Sequence, residues 1–170
     1  MKMQETNIPT YVFATVNPGQ TNKVVDELKR NSNIEFLAPV TGRFDLVLRL
    51  KQANQEQTFQ WIQNIRQISG IKSTQTTFGM NGFRNTPSMN QPLGVSLFNI
   101  TSPAETIINQ LKSFPGLVEA WAVPGQFDIL ALWQAKTTDE IVNASIQKLP
   151  SLQGISKTET LLSTQPFFRA

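Results

Sequence analysis

Residues 40–46 read VTGRFDL, and residues 123–129 read VPGQFDI, so one short pattern occurs twice at a displacement of 83 residues. The same displacement relates a second, apolar block: Val24, Val25 and Leu28 pair with Ile107, Ile108 and Leu111. A third block, GIKSTQT at 70–76, returns as GISKTET at 154–160. Three blocks in the same order indicate an internal duplication.

The segment between the two copies, residues 80–91, reads MNGFRNTPSMNQ. It is polar, contains glycine and proline, and has no apolar period, which is typical of a linker. We therefore predict a first repeat over residues 8–79, a linker over 80–91 and a second repeat over 92–165.

Each copy predicts the same order of elements, βαββαβ. A β-branched and aromatic run forms the first strand, and an apolar stripe at helical spacing follows it. The VxGxFD segment joins two strands as a hairpin, with glycine free to take positive φ. A second helix is indicated by three apolar positions at helical spacing in each copy: Trp61, Ile65 and Ile68, and then Val142, Ile146 and Leu149. A final strand contains the third block.

This order is that of the ferredoxin-like split βαβ unit, whose two helices lie on one face of the sheet. The strand at 127–133 is apolar on both sides, which is typical of a strand buried on both faces. The simplest cover for the second face is the sheet of the other repeat. The sequence therefore predicts an α+β fold of two ferredoxin-like repeats, packed sheet to sheet as an intramolecular pseudo-dimer of the dimeric α+β barrel type.

The amino-acid composition excludes several kinds of catalytic and metal-binding site. The 170 residues include no cysteine and no histidine, and the formal net charge is +3. Disulfides, Cys/His zinc sites, cysteine nucleophiles and Ser-His-Asp relays are thereby excluded. Lysine and arginine form no continuous stripe, so direct nucleic-acid binding is not expected. The N-terminal segment lacks a signal-like apolar stretch, and a cytoplasmic protein without membrane attachment, metal or cofactor is expected.

The hairpin pattern Val-x-Gly-x-Phe-Asp, followed by a last strand with Gly-Ile-x-x-Thr-x-Thr, resembles the ligand-binding domain of the Lrp/AsnC family, also called the RAM domain. The resemblance covers both copies. It implies a dimer that assembles into larger oligomers and binds amino acids or similar small molecules near the hairpin turn and the last strand. Family regulators carry an N-terminal helix-turn-helix, for which the roughly nine residues before the first strand are too short. A stand-alone tandem form is therefore expected.

The resemblance and the residue types together give the candidate ligand-binding residues. They are Gly42, Arg43, Asp45, Thr74 and Thr76 in the first copy, and Gly125, Asp128, Thr158 and Thr160 in the second. Two alternatives stay open: the aspartates can instead accept backbone N–H groups at the turn, and threonine is common in strands. Arg43 can pair with a ligand carboxylate, and because Gln126 replaces it in the second copy, the first copy is the favoured site.

We therefore expect a protein that is not an enzyme, binds an amino acid or related metabolite, and acts in transcriptional or metabolic regulation. It would act by forming a homo-oligomer of pseudo-dimers or through a partner regulator of the Lrp/AsnC type. Two alternatives are a small α+β barrel enzyme that uses Asp45, Asp128, Tyr11 or a lysine as acid or base, and a purely structural oligomerisation module.

Overall fold

The computed structural model describes residues 8–169. The elements of the first half and its extension are β1 (Thr10–Val16), α1 (Thr21–Lys29), β2 (Ile34–Pro39), β3 (Leu46–Leu50), α2 (Gln55–Arg66), β4 (Ile71–Phe78) and β5 (Met80–Arg84). Those of the second half are β6 (Leu93–Ile100), α3 (Ala104–Leu111), β7 (Leu117–Ala122), β8 (Ile129–Gln134), α4 (Thr138–Gln147), a 3₁₀ turn (Leu149–Ser151), β9 (Ile155–Ser163) and β10 (Phe167–Phe168).

The strands form two antiparallel five-stranded sheets, in the orders β10-β2-β3-β1-β4 and β5-β7-β8-β6-β9. One apolar core lies between the sheets and contains side chains of both repeats, such as Phe13, Val47, Leu97 and Leu130. Two further cores lie between each sheet and its own helices. The predicted α+β architecture of two ferredoxin-like repeats packed sheet to sheet is confirmed.

The helices bury the faces that their apolar periods require, with one exception. α1 buries Val24, Val25 and Leu28, as predicted. In α4 the buried residue is Ile141, whereas Val142 and Ile146 are 40% and 66% exposed. The predicted apolar stripe is therefore wrong at Val142 and Ile146 and confirmed at Leu149, which enters the core from the 3₁₀ turn after the helix ends at Gln147.

Each repeat also sends a strand to the sheet of the other repeat. Residues 80–91 were predicted as a linker, but their first five residues form β5, which pairs with β7. At the far end of the chain β10, beyond the predicted end of the second repeat at residue 165, pairs with β2. Both added strands cover sheet edges that would otherwise expose unpaired backbone groups. The exchange ties the two repeats together.

Candidate functional site

The two VxGxFD hairpins each pack against the last strand of the other repeat. The first hairpin, residues 40–45, lies on β9, and the second, residues 123–128, lies on β4. The Arg43 Nη1 lies 3.5 Å from the Gln126 Oε1, so the two hairpins also meet each other at the equivalent position of the pattern. The predicted hairpin-and-last-strand site is thus built from both repeats in each case.

Asp45 and Asp128 anchor the two hairpins by hydrogen bonds to neighbouring strands. The Asp45 Oδ2 accepts the Val16 N–H at 2.7 Å, and the Asp128 Oδ2 accepts the Ile100 N–H at 2.9 Å. Each carboxylate therefore satisfies a backbone donor at the end of the neighbouring strand, which is the structural alternative stated above. That Asp45 and Asp128 bind a ligand stays a prediction.

The first hairpin is closed onto β9. The Thr41 N–H donates to the Leu162 carbonyl at 2.9 Å, so the hairpin is hydrogen-bonded to the strand. The Leu161 side chain fills the space above Gly42, whose φ is +122°. The Arg43 Nε donates to both oxygens of Glu159, at 2.8 and 3.1 Å. These contacts occupy the space between the first hairpin and β9.

The second hairpin is open because its residues differ at the corresponding positions. Pro124 stands where Thr41 stands and has no N–H to donate to β4; instead its carbonyl accepts the Thr77 hydroxyl at 3.0 Å. Thr77 also takes the place of Leu161 and is shorter. No other atom lies within 4 Å of the position that a Cβ atom would occupy at Gly125.

The open hairpin and β4 enclose a cavity of about 320 Å³. Its floor is apolar and buried, and the exposed amides of Gln75 and Gln126 stand at its mouth where the first copy has the Glu159–Arg43 ion pair. None of the described residues that line it is charged. They are Phe13, Gln75, Thr76, Thr77, Leu97, Val123, Pro124, Gly125, Gln126, Phe127 and Leu130. The cavity thus lies beside the second hairpin, although the first copy was favoured from the sequence.

Arg43 reaches this cavity from the first copy. Its guanidinium stacks between the rings of Phe44, at 5.1 Å, and Phe127, at 4.7 Å, and Phe127 is a lining residue. Of the predicted site residues, Gly125 and Thr76 line the cavity and Arg43 contacts its lining residue Phe127, whereas Gly42 belongs to the closed hairpin.

The predicted threonines lie on the other face of their strands. Residues directly opposite each other in a sheet share a face. Thr74 and Thr76 are opposite Ala14 and Val12, whose side chains join the helix-side core. Thr158 and Thr160 are likewise opposite Phe98 and Ser96, on the helix side of the second sheet. Gln75 and Thr77 project toward the hairpin instead. Whether the four threonines bind a ligand stays a prediction.

A buried polar cluster between the sheets was not anticipated from the sequence. Glu119 is fully buried and accepts hydrogen bonds from the Tyr11 hydroxyl, the Arg49 Nη1 and, at 3.0 Å, the Trp121 Nε1. The Arg84 Nε lies 3.6 Å from the same carboxylate. Burial, together with the Glu119 charge, raises the pKa of Tyr11 well above its usual value. A lone acid inside the apolar strand LVEAWA was the signal available in the sequence.

A larger cleft of about 580 Å³ lies between α4 and the loop at 114–116. The polar group in its floor is the Gln134 amide, which exchanges two hydrogen bonds of 2.8 Å with the backbone of Ser88. This buried amide is satisfied by the chain itself, whereas the exposed Lys136, Glu140 and Lys148 also line the cleft. Within residues 8–169 no helix is long and apolar enough to cross a membrane, and no group of acidic side chains is arranged to hold a metal ion.

The structure is that of a tandem ferredoxin-like protein with an open cavity between its repeats. A family model described as the Lrp/AsnC ligand binding domain matches residues 10–89. The resemblance to the Lrp/AsnC ligand-binding domain is thereby confirmed over these residues, which contain the first repeat and most of the segment that follows it. No curated protein sequence matches the chain.

Solved structures share the whole architecture. The siroheme decarboxylase NirDL, in complex with an iron-uroporphyrin III analogue, superposes with a TM-score of 0.65 at 11% identity, over 95% of this chain and 72% of that one. Chlorite dismutase from Candidatus Nitrospira defluvii superposes with a TM-score of 0.60 at 9% identity, over 94% of this chain and 91% of that one. At these identities the likeness shows the shared fold.

Proposed function

We propose that this protein binds one small metabolite per chain, an amino acid or a close relative with an apolar side chain, in the cavity between the second hairpin and β4. The observation that carries the proposal is the difference between the two copies. Thr41, Leu161 and the Arg43–Glu159 pair close the first site, and their counterparts leave the second site open.

The cavity lining supports this class of ligand. A volume of about 320 Å³ is at the small end of the range of ligand pockets. The floor residues Phe13, Leu97 and Leu130 suit an apolar side chain. Among the described residues, the Gly125 and Gln126 N–H groups find no acceptor, so they are free to donate to a ligand carboxylate. The Arg43 guanidinium contacts Phe127 of the lining at 4.7 Å but is paired with Glu159, so the two backbone N–H groups are the donors proposed for the carboxylate.

The proposed outcome of binding is regulatory. The ligand would hold the second hairpin against β4 as Leu161 and Glu159 hold the first, and so change a surface used for homo-oligomerisation or for contact with a partner regulator of the Lrp/AsnC type. A cytoplasmic location and the absence of a catalytic step are part of the proposal. The latter is supported by the engagement of Tyr11, Asp45 and Asp128 in hydrogen bonds within the protein.

The experiment is a thermal-shift screen of the twenty amino acids at millimolar concentration, followed by calorimetric titration of any that raise the melting temperature. A ligand that binds only the folded state must raise it by mass action. Selective stabilisation by aliphatic or aromatic amino acids, at one equivalent per chain, is expected. A flat response to all twenty would contradict the amino-acid proposal.

The first repeat shows which substitution should close the cavity beside the second hairpin. Thr77→Leu introduces the side chain that closes the equivalent site, so it should abolish the ligand-induced shift and leave the unliganded protein folded. Thr106→Leu makes the same chemical change on the exposed surface of α3 and serves as the matched control. Undiminished ligand binding by Thr77→Leu would place the site elsewhere.

A further inference from the structure

The polar cluster around Glu119 has no counterpart on the other side of the inter-sheet core. The duplication relates each contact of one side to a contact of the other, and the partners of Glu119 and Arg49 in this relation are Phe36 and Leu132. Both of these residues are buried in the core between the sheets. One side of the same interface is therefore charged, and the equivalent side is apolar.

The two added strands, β5 and β10, show the same difference between the two sides of the interface. Arg84 of β5 pairs in register with Glu119 of β7, and Phe168 of β10 pairs in register with Phe36 of β2. On the apolar side the Phe36 and Phe168 rings are 5.0 Å apart. An ion pair at one edge thus stands where two tilted rings are in contact at the other.

We propose that this asymmetry is a pairing code: the sheet face of the first repeat fits only a partner face that presents a carboxylate opposite Arg49, and in this protein that partner is the second repeat. The Arg49 side chain is 8% exposed and the Glu119 side chain 0% exposed, so neither charge can turn to water. A buried charge that loses its partner is strongly unfavourable.

Homotypic pairing violates the code on both sides. Two first repeats packed face to face would place Arg49 of each against Phe36 of the other. Two second repeats would place Glu119 of each against Leu132 of the other. Two second repeats bury Glu119 twice without a cation. Two first repeats leave each Arg49 with only the exposed Glu35 of its own repeat, 3.9 Å away. It follows that the inter-sheet face is closed to a second copy of the same repeat and to any sheet that is apolar at the position of Glu119, so a partner regulator without a carboxylate at that position must dock elsewhere.

The test uses the full chain nicked at one point. A protease site inserted between Met89 and Asn90 lies in an exposed turn outside the sheets. The cleaved protein is unfolded in urea and refolded, and native mass spectrometry counts the mixed pairs and the two homotypic pairs. The mixed pair should exceed the homotypic pairs on the order of 100-fold or more, since each tenfold preference needs only about a third of the cost of breaking a buried ion pair.

The variant Arg49→Leu combined with Glu119→Leu removes both charges and keeps the interface apolar. Homotypic pairs should then appear at a fraction comparable with the mixed pair. Phe36→Leu is the matched control on the apolar side, because it perturbs packing but carries no charge, and it should leave the mixed pair dominant. Homotypic pairs in the nicked wild-type protein, or their absence in the double variant, would overturn the proposal.

Exchange gives the same readout without unfolding. Isotopically light and heavy samples of the nicked protein are mixed in the folded state and incubated, and the masses of the reassociated fragments are followed. Light–heavy mixed pairs without homotypic pairs support the code, and homotypic pairs refute it. This arm needs no recovery of the fragments from urea.

Discussion

The substitution Glu119→Gln tests how strongly the inter-sheet cluster stabilises the fold. It preserves the size of the side chain and removes the negative charge. Arg49, which is buried and bonded to this carboxylate, then keeps only the 40% exposed Glu35, whose Oε1 lies 3.9 Å from the Arg49 Nε, while Arg84 is 35% exposed and can turn toward water. The damage should therefore come chiefly from the desolvated Arg49 guanidinium.

The expected loss follows from this burial. Breaking a buried ion pair by removing one partner costs about 3–5 kcal/mol, a large part of the roughly 5–15 kcal/mol that stabilises a typical domain. With a urea dependence of about 2 kcal/mol per M for a chain of this size, the midpoint should fall by roughly 2 M. Unfolding is followed by tryptophan fluorescence, to which Trp121 contributes directly because its indole N–H donates to Glu119.

The chain contains a matched control. Glu159→Gln makes the same change in another glutamate–arginine pair, but there the Arg43 and Glu159 side chains are 44% and 22% exposed. An ion pair accessible to solvent is worth less than about 1 kcal/mol, so the midpoint should move by no more than roughly 0.5 M. Equal losses for the two variants would refute the argument that burial decides the contribution of the pair.

Three further predictions address the other contacts. Tyr11 has a raised pKa when folded, so above about pH 10 the unfolded chain loses its phenolic proton first and stability falls with pH; Tyr11→Phe should flatten this alkaline limb in urea titrations run at several pH values, and should cost about 1–3 kcal/mol at neutral pH. Leu161→Thr should open the first hairpin, lower stability by about 2–4 kcal/mol, and raise the ligand stoichiometry in calorimetry from one to two per chain; an unchanged stoichiometry would argue against the template relation between the copies. Asp128→Ala should cost about 1–2 kcal/mol in urea unfolding because the Ile100 N–H loses its acceptor, and a neutral result would mean that water replaces the carboxylate.

The features that the sequence predicted correctly depend on local pattern and on repetition. The βαββαβ order, the two-sided apolar strands and the sheet-to-sheet packing all follow from periods of 2 and 3.6 and from the duplication. The hairpin turns follow from Gly42 and Gly125, which take φ values of +122° and +111°. Each of these signals lies within one element or between two neighbouring elements.

The prediction for the threonines shows what a local sequence pattern cannot determine. Alternation places Thr74 and Thr76 on one face of β4, but it does not say which face meets the helices. That choice is made by the register with β1, in which Thr76 lies opposite Val12 and so turns toward α1 and α2. A shift of one residue along a strand reverses every side chain. Gln75 and Thr77 were therefore the residues that reach the hairpin.

By itself, the sequence determined a duplicated α+β fold and two equivalent hairpins, because these depend on which residues repeat along the chain. Only the tertiary structure decided that the two hairpins are not equivalent in space and that Glu119 finds Tyr11 and Arg49 across the sheets. The differences Thr41/Pro124 and Leu161/Thr77 are visible in the sequence, yet their effect depends on contacts between residues about 120 and 47 positions apart. Such pairs are brought together by the packing of the sheets, and no local pattern encodes them.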